Sequence, residues 1–180
     1  KALMKVRSGR RSKFETTQCV GMRVEDEQKA IFDDPGKLRG LGTGFKLLDR
    51  VLCGLRDDDL TIVAGRPGSG KTALADQIAL NAGLADKRVA YFTLEMSSDE
   101  NVRRLVNILG NYDSTELDYG RRKVNGEWRN WTDDEQVEYF SQLARGESLP
   151  ICWHDAGGIT TEEATAAATE LLATQGVDVV

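Results

Sequence analysis

Eight consecutive residues, Gly65-Arg66-Pro67-Gly68-Ser69-Gly70-Lys71-Thr72, carry the clearest chemistry in the sequence. Gly, four residues, then Gly-Lys-Ser/Thr is the phosphate-loop pattern. Gly65, Gly68 and Gly70 let the backbone curl and turn successive N–H groups inward, with no Cβ in the way of a phosphate. A helix starting at the end of the loop adds N–H groups without internal partners and the positive end of its dipole. Lys71 would place a point charge on the outer phosphates, and Thr72 would offer its hydroxyl to Mg²⁺.

Other candidates rest on less. Glu95 follows an apolar run, where a carboxylate can orient or deprotonate an attacking water. Position alone fits equally well a loop glutamate paired with a surface lysine. Asp155 fits a turn-former bonding its own backbone better than a group supporting a site. His154 is the single histidine; it lacks metal-ligand spacing and reads as packed or solvated. Arg103 and Arg104 fall on the helix after Glu95, facing solvent, a phosphate or another subunit. One histidine without a nearby nucleophile gives no Ser-His-Asp arrangement. A Mg²⁺-side aspartate at the end of an apolar strand is not found, and is expected just past Val180.

The elements that must position these residues follow from the patterning. Leu60 to Ala64, short, apolar and β-branched, reads as a buried parallel strand leading into the loop. Lys71 to Leu80 reads as a helix, with Leu74, Ile78 and Ala82 one turn apart on one face. Earlier, the glycines of Gly40 to Gly44 mark a loop, and Phe45, Leu48 and Leu52 share a helical face closed by Gly54-Leu55. Arg88 to Leu94 reads as a second strand. Ser97 with Glu100, Thr132 with Glu135 and Thr160 with Glu163 are capping boxes, opening helices to about Leu109, Ala144 and Thr174. Leu149 to Trp153 reads as a third strand and Val177 begins a fourth. Asn111 to Trp131 is polar and hard to read, with Trp128 and Trp131 expected to pack a loop down. The order β-α-β-α-α-β-α-β implies an α/β fold, a parallel sheet with helices on both faces. The phosphate loop, Glu95 and Asp155 then all fall at strand carboxyl ends, where ligands of such sheets sit.

Composition bounds the answer. A chain of 180 residues is one domain, or one domain plus an arm. A net charge of −5 argues against a generally basic nucleic-acid coat, without excluding a local DNA path. There is no run of about 18 apolar residues, so no membrane span is expected. Cys19, Cys53 and Cys152 lack CxxC spacing, which suits a reducing cytoplasm and gives no metal site. Residues 1–37 read as an arm or linker: Lys1, Lys5, Arg7, Arg10, Arg11 and Lys13 precede a helix from Val24 to Phe32, closed by Asp34-Pro35-Gly36. Such an arm is either solvated or carries a helix that docks on a neighbouring subunit, with direct DNA contact the weakest reading. Residues 38–180 read as the folded domain. The start at Lys1 rather than Met, and the end inside an apparent strand, give the expectation of a fragment.

Together these residues resemble the RecA-like motor domain of DnaB-type replicative helicases. The resemblance rests on Thr43-Gly44-Phe45, Leu48-Asp49 and Gly54-Leu55, the Arg66-Pro67 variant of the loop, and Leu94-Glu95-Met96-Ser97. Arg104 and the Asp155 to Thr160 segment match as well. It covers roughly residues 38–180. It implies a RecA-like P-loop NTPase in which Glu95 is the catalytic carboxylate, Lys71 and Thr72 meet the phosphates and Mg²⁺, and Arg66-Pro67 shape the loop. It also implies ATP bound between subunits of a ring hexamer, single-stranded DNA in the centre, and primase and a helicase loader as partners. Residues 1–37 would be the linker whose helix docks on the next subunit. The Walker B strand would be incomplete at Val180, with the DNA loops and arginine finger beyond it. A RecA/RadA-like recombinase and a non-motor RecA-like ATPase are the alternatives, and Arg66-Pro67 and Leu94 to Ser97 count against the recombinase.

Overall fold

The computed structural model describes residues 14–56, 59–155 and 157–180. The basic run of the arm, Lys1 to Lys13, lies outside the described residues. The chain opens with three helices, α1 (Thr17–Asp33), α2 (Lys46–Leu52) and α3 (Lys71–Leu84). Strand β1 (Val89–Thr93), helices α4 (Ser98–Gly110) and α5 (Ser114–Tyr119), and a hairpin of β2 (Arg121–Val124) and β3 (Glu127–Asn130) follow. Helix α6 (Asp133–Glu147), strand β4 (Ile151–Asp155) and helix α7 (Thr161–Thr174) complete the order.

β1 is the centre. It pairs in parallel with β4, from Val89 opposite Ile151 to Thr93 opposite Asp155. Its other edge is met by the segment beginning at Val177: Asp178 N–H donates to Arg88 O at 2.8 Å and Ala90 N–H donates to Val179 O at 2.8 Å. Strand alternation then sorts the layers. Val89, Tyr91 and Thr93 face α3 and α4, where Val89 packs with Ala79 and Ala82, Tyr91 bonds Asp76, and Thr93 bonds Asn101. Ala90 and Phe92 face the other way, sharing a cavity wall with Ala167, Leu171 and Thr174 of α7. Helices therefore cover both faces, as the strand–helix alternation implies.

The helix starts follow the capping signals. Thr132 with Glu135 and Thr160 with Glu163 make both reciprocal bonds. At Ser97, its hydroxyl accepts from Glu100 N–H at 3.2 Å. α4 runs to Gly110, and Asn111 rather than the glycine takes the left-handed cap at φ 53°.

The strand expected over Leu60–Ala64 does not form. Leu60, Ile62 and Val63 are 85%, 77% and 45% exposed, and the segment has no ladder partner. The reason is geometric. A parallel strand needs a neighbour; both edges of β1 are taken by β4 and residues 178–179, and the segment pairs with neither of those outer edges among the described residues. The stretch from Asn111 to Trp131, unread in the sequence, holds α5 and the hairpin. Asn125 (φ 53°) and Gly126 (φ 88°) make its turn, both at the positive φ that a two-residue turn of the I′ kind requires. Arg122 and Arg129 both donate to Glu135, the latter in a two-pronged pair at 2.6 and 2.7 Å. Trp131 meets Tyr112 edge-on at 6.0 Å and Trp128 stacks on Tyr119 at 5.4 Å, so both tryptophans pack this segment down as expected.

Ahead of the phosphate loop, Thr43-Gly44-Phe45 is a latch. Asp49 accepts from Thr43 N–H and Thr43 Oγ1 at 2.7 Å each and from Gly44 N–H at 3.2 Å. Asn81 of α3 donates to Thr43 O at 2.7 Å. Gly44 sits at φ +84°, and a Cβ there would meet Asn81 Nδ2 at 2.1 Å. The Thr-Gly and Leu-Asp motifs thus fasten α2 to the outside of α3. Asp49→Ala leaves the fully buried Thr43 hydroxyl and N–H without their acceptor. It should cost about 2–4 kcal/mol in urea unfolding.

The Glu135 carboxylate is held well below the usual range, first by its bonds from Arg129, then by Thr132 N–H and the charge of Arg122. A carboxylate depressed in the folded state stabilises above its unfolded value and loses that contribution as pH falls through its folded value. The near-ultraviolet circular dichroism of the Trp131–Tyr112 contact should therefore persist through pH of about 4.3, the ordinary glutamate value, and fade only in stronger acid. Glu135→Gln should lose that signal already at neutral pH.

Candidate functional site

The loop from Gly65 to Gly70 connects the extended segment to α3 without regular structure, closed by a turn in which Ser69 N–H donates to Arg66 O at 3.2 Å. Gly68 (φ +74°) and Gly70 (φ +87°) hold left-handed conformations, and Gly70 is the cap residue before α3. A side chain at either would be strained. A Cβ on Gly65 would meet Ser69 Oγ at 2.6 Å. These glycines leave a concave backbone at the start of a 14-residue helix, the arrangement that binds anions through free N–H groups.

Lys71 folds over this concavity, donating to Gly65 O at 3.2 Å and Arg66 O at 3.3 Å. The donor set fits a polyphosphate: backbone N–H groups, one ammonium and the Thr72 hydroxyl. Gly65, Arg66 and Ser69 form the turn behind the concavity. Pro67, Gly68, Gly70, Lys71 and Thr72 line a cavity of about 740 Å³.

Glu95 and Arg104 line the same cavity. Glu95 is exposed, two residues past the end of β1. The turn that carries it is fastened on three sides. Thr93 Oγ1 donates to Met96 O, and Asn101 Nδ2 donates to Thr93 Oγ1 at 3.1 Å and Ser97 O at 2.9 Å. Asp155 at the end of β4 accepts from Ser98 N–H at 2.7 Å and Ser98 Oγ at 2.6 Å. The turn-forming role expected for Asp155 is thereby corrected. β4 runs two residues further than the sequence suggests, so Asp155 is a strand residue whose carboxylate meets the first turn of α4, where backbone N–H groups need acceptors.

Arg104 pairs with Asp76 at 3.1 Å, while Arg103 is exposed over an adjoining cavity. His154 is exposed and stacks on Phe92 at 5.2 Å. Sequence reasoning missed Asp76, Asn101 and Thr93. All three are polar and almost fully buried, and only their partners reveal their role. Among the described residues no group of His, Cys, Asp and Glu could hold a metal ion by itself, and no helix is long and apolar enough to cross a membrane.

A parallel strand pair between helical layers, with a glycine-rich loop opening a helix beside a carboxylate at a strand end, defines a P-loop α/β fold. Two solved structures share it. The ATPase domain of G40P superposes with a TM-score of 0.77 at 22% identity, covering 93% of this chain and 56% of that one. A DnaB-like replicative helicase, studied with its interactions with primase, superposes at 0.73 and 22%, covering 92% and 38%. Residues 40–180 match the DnaB-like helicase C-terminal domain, and the chain belongs to that family. The replicative DNA helicase DnaC of Bacillus subtilis (strain 168) is 31% identical over 170 residues, 94% of this chain and 36% of the relative. The replicative DNA helicase DnaB of Geobacillus stearothermophilus is 37% identical over 109 residues, 60% and 24% respectively. The chain thus spans about a third of the length of the first of these relatives and a quarter of the second.

The Asp155–Ser98 contact has a measurable consequence. Asp155→Ala removes the shared acceptor at the first turn of α4. Amide exchange at Ser98 and Asp99 should speed up, with about 1 kcal/mol of global stability lost, the usual cost of a missing helix cap. Unchanged exchange there would mean that α4 is held from elsewhere.

Proposed function

We propose that this chain is the ATP-hydrolysing motor domain of a replicative DNA helicase, which translocates on single-stranded DNA and unwinds duplex DNA as a ring hexamer. The observation that carries the reading is the cavity of about 740 Å³ whose wall holds both the phosphate loop and Glu95. The loop backbone from Gly65 to Gly70 and Lys71 hold the phosphates of ATP, with Arg66 and Pro67 shaping the turn. Lys71 moves its ammonium from the loop carbonyls to the outer phosphates. Glu95 orients the attacking water and takes up its proton. Thr72 would hold Mg²⁺, which would supply charge neutralisation at the outer phosphates. Catalysis here is mostly positioning and charge stabilisation.

Family membership supports the rest. The DNA is contacted through its backbone phosphates, so binding is salt-sensitive and tolerant of sequence. Primase and a helicase loader are partners, and the protein works in the cytoplasm. Residues 1–37 serve as the linker. Helix α1 buries no residue and exposes Met22 (62%), Val24 (56%) and Phe32 (71%), as a helix that docks on a neighbouring subunit would.

The test is ATP-dependent strand displacement on a forked duplex by the full-length protein, wild type and Lys71→Ala. Displacement by the wild type, with hydrolysis and displacement both down by about 100-fold or more in the variant, supports a motor fuelled at this loop. Hydrolysis without displacement turns the reading towards a recombinase or a non-motor ATPase. Equal hydrolysis by both proteins overturns the loop assignment.

A further inference from the structure

Asp76 is a carboxylate 1% exposed in the interior of α3, one turn past Thr72. Its neighbours along the buried side of that helix, Ala79, Leu80 and Ala82, are apolar. Burying a charge in such a place is costly unless every oxygen is partnered. Both are. Tyr91 Oη donates to Oδ1 at 2.7 Å and Arg104 Nη1 donates to Oδ2 at 3.1 Å. Burial, and then the bond to Asp76, push the Tyr91 hydroxyl to titrate well above its ordinary value, so it stays a donor.

The three partners come from the three elements that build the candidate site. Asp76 lies on the helix carrying Lys71 and Thr72, Tyr91 on the strand leading to Glu95, and Arg104 on the helix following it. Asp76 is not on the wall of the phosphate-loop cavity, whereas Tyr91 and Arg104 both are. Arg104 is 37% exposed and stands between that cavity and an adjoining one of about 900 Å³. Its bond to Asp76 engages one nitrogen of a planar fork with five N–H donors. A guanidinium fixed at one end and open at the other is preorganised to meet an anion in the cavity. Without Asp76, Arg104 would be free to turn to the other carboxylates on its two cavity walls, Glu95 on the phosphate-loop side and Asp99, Glu100 and Asp118 on the other.

We propose that Asp76 is a positioning residue: it holds the Arg104 guanidinium on the cavity wall so that Arg104 meets the outermost phosphate of a bound nucleoside triphosphate, and it keeps Arg104 from turning to the other carboxylates around it. The proposal rests on the nucleotide reading of the phosphate loop. It makes the contact specific to a triphosphate, since a diphosphate lacks the group that Arg104 would touch.

The experiment is equilibrium binding of two fluorescent nucleotides, a slowly hydrolysed ATP analogue and ADP, to the full-length protein. The proteins are wild type, Asp76→Asn, Arg104→Ala, the double variant and Lys71→Ala, with thermal midpoints measured on each. Asp76→Asn should weaken the triphosphate analogue by about tenfold relative to ADP, the worth of one charge-assisted hydrogen bond. The double variant should bind no worse than Arg104→Ala alone, within about twofold, because the two residues act as one. Equal weakening of both nucleotides, or a lower midpoint with the ratio unchanged, would reduce Asp76 to a buried structural pair and overturn the proposal. Losses that add in the double variant would overturn it as well. If Asp76→Asn does not fold, Asp76→Glu keeps the charge while displacing the carboxylate, and the same ratio decides. Binding unchanged by Lys71→Ala would sink the nucleotide reading itself, an outcome separate from any result at Asp76.

Discussion

Strand β1 has both edges hydrogen-bonded and both faces covered, and that confinement places Glu95. β4 holds one edge and residues 178–179 the other. Val89, Tyr91 and Thr93 fasten one face to α3 and α4, while Ala90 and Phe92 lie against the side of α7. A strand so constrained has little freedom to slip, since a shift of one residue would exchange its two faces. Its carboxyl end is therefore a fixed point. The phosphate loop reaches the same point by another route, because α3 packs on β1 through Ala79 and Ala82 and carries Lys71 and Thr72 at its own start. Loop and carboxylate meet across one cavity because one helix and one strand share a small apolar contact.

Most of the framework could be read without coordinates. The capping signals at Ser97, Thr132 and Thr160 start helices where expected, because a capping bond is local and its partners lie three residues apart. The loop chemistry was legible for the same reason. The failures are non-local. Leu60 to Ala64 has the composition of a buried strand, and composition reports the environment a segment suits rather than one supplied to it. The hairpin carried a strong turn signal in Asn125-Gly126, yet its flanks, Arg121-Arg122-Lys123 and Glu127-Trp128-Arg129, lack the apolar alternation that marks a strand. Cations held by Glu135, the stacked Trp128 and the edge-on Trp131 secure it instead. Asp76 gave no sign at all, since its partners are 15 and 28 residues away.

The buried polar residues carry the geometry that apolar packing leaves loose. Ala79, Ala82 and Val89 bring α3 and β1 together, but small side chains resist rotation or sliding only weakly. Directional bonds add what is missing. Thr93 and Asn101 fix the turn that bears Glu95, Asp155 fixes the first turn of α4, and Asp76 ties α3 to both β1 and α4. The bonds of Asp76 and Asn101 are buried or half-buried and would leave a desolvated polar group if displaced, whereas the exposed Asp155–Ser98 bonds contribute direction alone. Asn101 also keeps its Oδ1 buried without a partner, a cost retained beside the candidate carboxylate.

The same reasoning explains why the surface is so unevenly finished. The turn around Glu95 is fastened by hydrogen bonds, whereas α1, Leu60 and Ile62 expose apolar side chains that nothing among the described residues covers. Fully burying one such side chain is worth about 1.5–3 kcal/mol. Leu60, Ile62, Met22, Val24 and Phe32 together therefore represent a large unspent contribution in the chain as it stands. The segment from Leu60 runs directly into the phosphate loop, so burying it would also restrain the approach of the loop to α3. Stability of the phosphate-loop side and burial of these apolar side chains are in this way one problem. The directional bonds around β1 hold the site in register while the loop's own approach depends on burial that the described residues leave open.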